Sequence, residues 1–169
     1  MNDSSEVPGA TPRAIDDLGD IIRPDAVLAQ LAARNKKALF QQLAATGAEL
    51  FDLDAKLIVE RLSDRERLGS TGFGGGVAIP HGKMEGLSAV SGIFGRLAKP
   101  IDFTAIDGMP VDLVFVLLSP PDAGVEHLKA LARVSRRLRD RPFVAKLRGA
   151  GSEDALYALL ASSENRSAS

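Results

Sequence analysis

Apolar residues recur at helical spacing twice in the first half of the chain and at strand spacing further on. Over residues 35–50, Leu39, Phe40, Leu43 and Leu50 follow a helical repeat, and Asn35 stands where it can cap the first turn. A second helix is expected over 54–68, with Asp54 as cap or first-turn acid. The glycine-rich stretch GSTGFGGGVAIPHGK (69–83) follows. Within it Val77-Ala78-Ile79 reads as a short strand and Pro80-His81-Gly82 as the turn that ends it, leaving the His81 imidazole at a loop mouth. Residues 89–97 alternate like a strand, and VDLVFVLL (111–118) reads as a buried one.

Ser119-Pro120-Pro121-Asp122 then forms a turn that starts a third helix with the stripe Leu128, Leu131, Val134 and Leu138. Shorter helices over 143–148 and 152–160 finish the pattern. Strands alternate with helices, so the fold class is α/β: a single domain with a mixed β-sheet flanked by helices. Residues 1–14 and 162–169 are polar and read as flexible tails around a domain spanning 15–161.

Composition narrows the chemistry. The chain is 45% apolar and 25% charged, with a net charge of −1, so no basic field points to nucleic acid. It has no cysteine, which excludes disulfides and thiolate metal sites and suits a reducing, cytoplasmic setting. No apolar run reaches the roughly 20 residues that a membrane helix needs, and the N-terminus lacks the pattern of a signal peptide. No membrane insertion is expected.

The glycine stretch fails two nucleotide motifs. A P-loop needs Gly where Val77 stands and Ser or Thr where Met84 follows Lys83. The dinucleotide fingerprint starts at Gly72-Phe73-Gly74 but meets Val77 at its third glycine, after a helix rather than a strand. Zinc is disfavoured by two histidines without cysteine, although sites of His plus carboxylate stay open.

Three side chains stand out instead. His81 sits between proline and glycine, with no packing role in view. His127 lies four residues before Leu131 and seven before Val134, on the inward stripe at the start of the third helix. Arg65 continues the stripe of Ile58 and Leu62, so its guanidinium can turn toward the interior or the glycine loop. Two imidazoles, one guanidinium and open backbone N–H groups suit a phosphoryl group. A neutral imidazole is a competent nucleophile near pH 7. Each residue also has a plainer reading: His127 as a hydrogen-bonded core residue, Arg65 as a surface ion pair, Ser70 and Thr71 as turn caps. The cluster RVSRRLRD (133–140) reads as a solvated helix face, with a docking surface for an acidic partner as the alternative.

The run DRERLGSTGFGGGVAIPHGK (64–83) resembles the phosphorylation-site motif of enzyme IIA domains of the fructose/mannitol type, from the bacterial phosphoenolpyruvate-dependent phosphotransferase system. Within them it is most similar to the nitrogen-regulatory enzyme IIA. The resemblance continues through 100–120, 127–140 and 147–160. It implies a phosphohistidine carrier with His81 as phosphoacceptor, His127 supporting the phosphoryl group and Arg65 stabilising it. The supporting loop would comprise Ser70, Thr71, Gly72, Gly74 and Gly82. It implies no cofactor and no metal, an HPr-like phosphocarrier as donor, and regulatory targets such as sensor kinases or potassium transport. Gly75 departs from the larger polar residue often found in that family. No IIB or IIC segment accompanies the motif, so regulation is expected over sugar transport. A transport component feeding a separate IIB, or a non-catalytic binding module, are the alternatives.

Overall fold

The structure, a computed structural model, describes residues 17–162. The expected tails lie outside the described residues, apart from Ser162. Among the described residues the chain runs β1 (Ile22–Leu31), α1 (Lys36–Phe51), α2 (Ala55–Arg67), β2 (Gly72–Gly74), β3 (Val77–Ala78), β4 (His81–Lys83), β5 (Ser91–Ile101), β6 (Val111–Ser119), α3 (Gly124–Leu138), α4 (Arg141–Gly149) and α5 (Glu153–Leu160). The sheet has six strands in the order β1-β5-β6-β3-β2, with β4 continuing beside β6. β1 runs parallel to β5, β5 antiparallel to β6, and both β3 and β4 parallel to β6. This is the mixed α/β sheet expected from the alternation of elements.

β6 organises the core. Every position of VDLVFVLLS except Asp112 is buried, so the strand needs cover on both faces. Phe94 on β5 packs edge-on to Phe115 on β6, with ring centroids 6.3 Å apart. Gly92 on β5 makes room for that ring: a Cβ there would stand 2.6 Å from Phe115 Cε1 and 3.1 Å from Ile21 Cγ2. α1 and α2 pack against one another, and both begin at the expected caps. Asn35 Oδ1 accepts from Ala38 N at 2.8 Å and Asp54 Oδ1 from Lys56 N at 2.9 Å.

Three expectations need correction, and one strand is new. Pro80-His81-Gly82 is not a turn. The extended chain runs on through Pro80, whose carbonyl accepts from Leu117 N, and His81 pairs with Leu117 as the first residue of β4. Proline has no N–H to give a ladder, so β3 and β4 count as separate strands although they follow one edge of β6. The real turn lies earlier, at Gly74, Gly75 and Gly76, whose φ angles of 115°, 69° and 83° explain the glycine run.

The third helix is also rotated from the expected stripe. It buries His127, Ala130, Val134, Arg137 and Leu138, while Leu128 is 66% exposed. The arginine cluster is not simply a solvated face. Arg137 is buried with its guanidinium 3.7 Å from the Phe143 ring centroid, and it donates to Ser162 O at 2.8 Å. Arg133 grips Asp20 at 2.7 and 3.0 Å. Finally, β1 has no counterpart in the sequence reading.

Gly92→Ala is expected to lower stability by about 1–3 kcal/mol through overpacking against Phe115. Gly149→Ala, whose Cβ meets nothing within 4 Å at the end of α4, is the matched control and should shift stability by less than about 1 kcal/mol. Urea denaturation midpoints of the two variants check this; equal midpoints would contradict the close Gly92–Phe115 packing.

Candidate functional site

Two helices and one strand meet at the C-terminal end of β6. β4 brings His81, the last turn of α2 brings Arg65, and the first turn of α3 brings His127. The close approach of α2 to β4 depends on Gly82, where a Cβ would lie 3.2 Å from Arg61 Cβ. One turn beyond Arg61, Arg65 then reaches the histidine: its Nε donates to His81 Nε2 at 3.3 Å, and its Nη1 donates to Gly69 O at 2.8 Å.

His81 Nδ1 lies 2.8 Å from Ile79 O. A carbonyl can only accept, so Nδ1 carries the proton and Nε2 keeps its lone pair. The Arg65 N–H directed at Nε2 requires the same tautomer. The nitrogen left for chemistry is therefore Nε2, with a cation already beside it.

The His127 ring lies 5.5 Å from the His81 ring, centroid to centroid, at an interplanar angle of 49°. Its Nδ1 is 2.6 Å from the hydroxyl of Ser119, the last residue of β6, and both residues are buried. When the Ser119 hydroxyl donates, His127 Nε2 holds the proton and can give it to an anion. α3 also begins without a side-chain cap, in contrast to the other described helices. Its first amides remain open next to His127, an arrangement that favours anions.

Both imidazoles are pushed below their ordinary value of 6.5. For His81 the main cause is burial, opposed by the Ile79 carbonyl; Arg65 lowers it further and Glu66 raises it. For His127 burial again leads, followed by the nearby His81 and Lys83. At neutral pH the pair is therefore uncharged. That is the protonation state in which one ring can attack and the other can donate a hydrogen bond.

The expected supporting loop divides into three. Gly82 lies at the site, as the close-approach position under α2. Ser70 and Thr71 face away from His81: Ser70 Oγ donates to Phe103 O at 2.9 Å, and Thr71 Oγ1 donates to Glu66 Oε1 at 2.6 Å. Gly72 and Gly74 belong to the β2–β3 hairpin, which meets β6 at Val114 and Leu113 and turns beyond its N-terminal half. There the Gly76 carbonyl accepts from Asp112 N and Leu113 N, five or four residues from the Leu117 that pairs with His81. At about 3.3 Å per residue that turn is roughly 13–17 Å away along the strand, and the nearer Gly72 amide already donates to Ser70 Oγ at 3.0 Å, so the hairpin amides are not a phosphate cradle for His81. Two contributors escaped the sequence reading, Ser119 and the Ile79 carbonyl. Each acts through a hydrogen bond that spacing does not reveal. Among the described residues no group of three or more His, Cys, Asp or Glu side chains is placed to hold a metal, and no helix is long and apolar enough to cross a membrane.

The profile of the phosphoenolpyruvate-dependent sugar phosphotransferase system EIIA 2 family matches residues 20–163. The chain belongs to that family. Among its curated relatives is the nitrogen regulatory protein of Bradyrhizobium diazoefficiens, 49% identical over 142 residues, covering 84% of this chain and 93% of the relative. The nitrogen regulatory protein of Pseudomonas aeruginosa is 40% identical over 149 residues, covering 88% and 97%. Among solved structures, nitrogen regulatory protein IIA-Ntr from Neisseria meningitidis superposes with a TM-score of 0.80 at 34% identity, covering 85% of this chain and 98% of that one.

The depressed imidazoles make stability pH-dependent with a definite sign. Between the lowered folded values and 6.5, the unfolded chain binds more protons than the folded one, so stability falls as pH drops from about 6.5 and levels off below the folded values. The Asp20 carboxyl, held low by its bond to Arg133, loses its contribution only in the more acidic carboxylate range. Urea midpoints measured from about pH 7 to about pH 5 should decline in wild type and flatten in a His81→Asn/His127→Asn double variant. An equal decline in both would place the titrating groups elsewhere.

Proposed function

We propose that the protein is a phosphohistidine carrier that takes a phosphoryl group on His81 Nε2 from an HPr-like donor and uses its phosphorylation state to regulate other proteins. One observation carries the reading: the Ile79 carbonyl fixes the His81 proton on Nδ1, so that a neutral Nε2 faces the Arg65 cation. Kinship with nitrogen regulatory proteins supports the regulatory role over sugar delivery. Targets in sensor kinases or potassium transport belong to this reading, as does a cytoplasmic setting.

In the transfer step the Nε2 lone pair forms a bond to phosphorus while the phosphorus–nitrogen bond of the donor imidazole breaks, its electrons returning to the donor ring. No proton needs to change place. Negative charge spreads over three phosphoryl oxygens, so catalysis is positioning and charge stabilisation. Arg65 exchanges its hydrogen bond to Nε2 for one to a phosphoryl oxygen. His127 donates from Nε2 to another oxygen, and the uncapped start of α3 adds its amides. Once phosphorylated, the surface around His81 carries close to two additional negative charges, enough to change partner affinity by about 1–3 kcal/mol.

Intact-mass spectrometry after incubation with phosphoenolpyruvate, enzyme I and the HPr-like carrier tests the reading. Wild type should gain one acid-labile phosphate and His81→Ala none. Arg65→Ala should slow the gain by about 10²-fold or more, the cost of losing one charge-stabilising donor. Absence of any gain from cognate carriers would remove the phosphocarrier reading. Onward transfer to a purified IIB protein would turn it toward sugar transport.

A further inference from the structure

A buried carboxylate beside the site has no part in the step above. Glu66 follows Arg65 on α2 and keeps only 6% of its side chain exposed. Its oxygens accept from Thr71 Oγ1 at 2.6 Å and from Thr71 N at 3.1 and 3.2 Å. Lys36, at the first position of α1, reaches across to it at 3.0 Å, with its ammonium 4.7 Å from the Phe103 ring centroid. A nearly buried carboxylate is costly unless its bonds are complete, and these partners complete them.

The bonds close a loop from Glu66 to Thr71, and that loop holds the carbonyl of Gly69. Gly69 N donates to Glu66 O at 3.2 Å on one side. On the other side Thr71 is anchored twice, to Glu66 by its N–H and hydroxyl and to the residue after β3 by its carbonyl, which accepts from Ile79 N at 3.1 Å. Gly69 O in turn accepts from Arg65 Nη1, which leaves Nε directed at His81. Ile79, tied to Thr71 by its N–H, holds His81 Nδ1 with its carbonyl. The positions of Arg65 and of the His81 ring are thus both referred to one threonine.

We propose that Glu66 and Thr71 are positioning residues that aim the Arg65 guanidinium at His81 Nε2. The consequence for phosphoryl transfer rests on the phosphoacceptor reading of His81, whereas the consequence for the His81 ring itself does not. The charged and titratable groups facing that ring are Arg65 and Glu66 from α2 and His127 from α3. Thr71→Val removes a hydroxyl without changing any of these charges. Release of Arg65 then weakens the cation's hold on the neutral imidazole, and His81 should bind its proton more readily.

The test follows the His81 imidazole by NMR in wild type, Thr71→Val, Arg65→Ala and the double variant, with phosphorylation rates measured in parallel. Thr71→Val should raise the His81 pKa by about half a unit, as expected for loosening one charge at the edge of the protein. The same substitution should add no rise once Arg65 is alanine. Thr71→Ser, which keeps the hydroxyl, should restore the wild-type titration. Where His81 accepts phosphate, Thr71→Val should slow its gain about tenfold, and not at all in the Arg65→Ala background. If Thr71→Val does not fold, Thr71→Ala serves as the second charge-neutral variant. An unchanged His81 titration in the folded variant would overturn the proposal, and so would a shift of equal size without Arg65. Failure of wild type to accept phosphate would count against the carrier reading alone, because the titration still decides the role of Thr71.

Discussion

A strand buried on both faces must satisfy every backbone polar group along its two edges, and in this protein that demand falls on β6. One edge is met by the long antiparallel pairing with β5, from Ser91 opposite Leu118 to Ile101 opposite Val111. The other is met piecewise, by β3 at Leu113 and Val114 and by β4 from Leu117 to Ser119. Between them the Pro80 carbonyl accepts from Leu117 N and keeps the ladder closed. His81 is held in place by this edge. Its backbone is part of the sheet, so the ring projects from a rigid strand end rather than from a loop.

From that fixed point the electrostatics follow. Packing α2 and α3 over the strand end desolvates both imidazoles, which favours their neutral forms. Neutrality would be of little use if the rings could turn freely. The Ile79 carbonyl and the Ser119 hydroxyl each occupy an Nδ1, so the same burial that lowers the pKa values also fixes which nitrogen is available. The hydrogen bond from Arg65 to Gly69 O limits where the guanidinium can point.

Legibility in the sequence differed by element. α1 and α2 were readable with their caps because Asn35 and Asp54 act on amides two or three residues away. β6 was readable because burial on both faces leaves a nearly continuous apolar run. β1 was not. Its sequence IRPDAVLAQL includes Arg23-Pro24-Asp25, all exposed, and Gln30 takes a φ of 59° where the register with β5 shifts. An irregular edge strand has no period of two to detect. His127 was placed correctly, yet the stripe drawn through Leu128 was not. Helical periodicity sets relative angles around an axis, while the rotation of the helix is set by what it packs on.

Local spacing and residue chemistry suffice for the α/β class, for the caps of α1 and α2, and for singling out Arg65, His81 and His127. The division of labour among the glycines depends instead on how the strands and helices pack. Gly74, Gly75 and Gly76 serve a hairpin turn at one end of β6, while Gly82 admits α2 at the other, and contiguity in sequence hides a separation along a strand. Packing likewise decides which arginines of 133–140 are structural. Arg137 is buried against Phe143 and Arg133 is bound to Asp20, and both contacts depend on how elements distant in the chain are brought together.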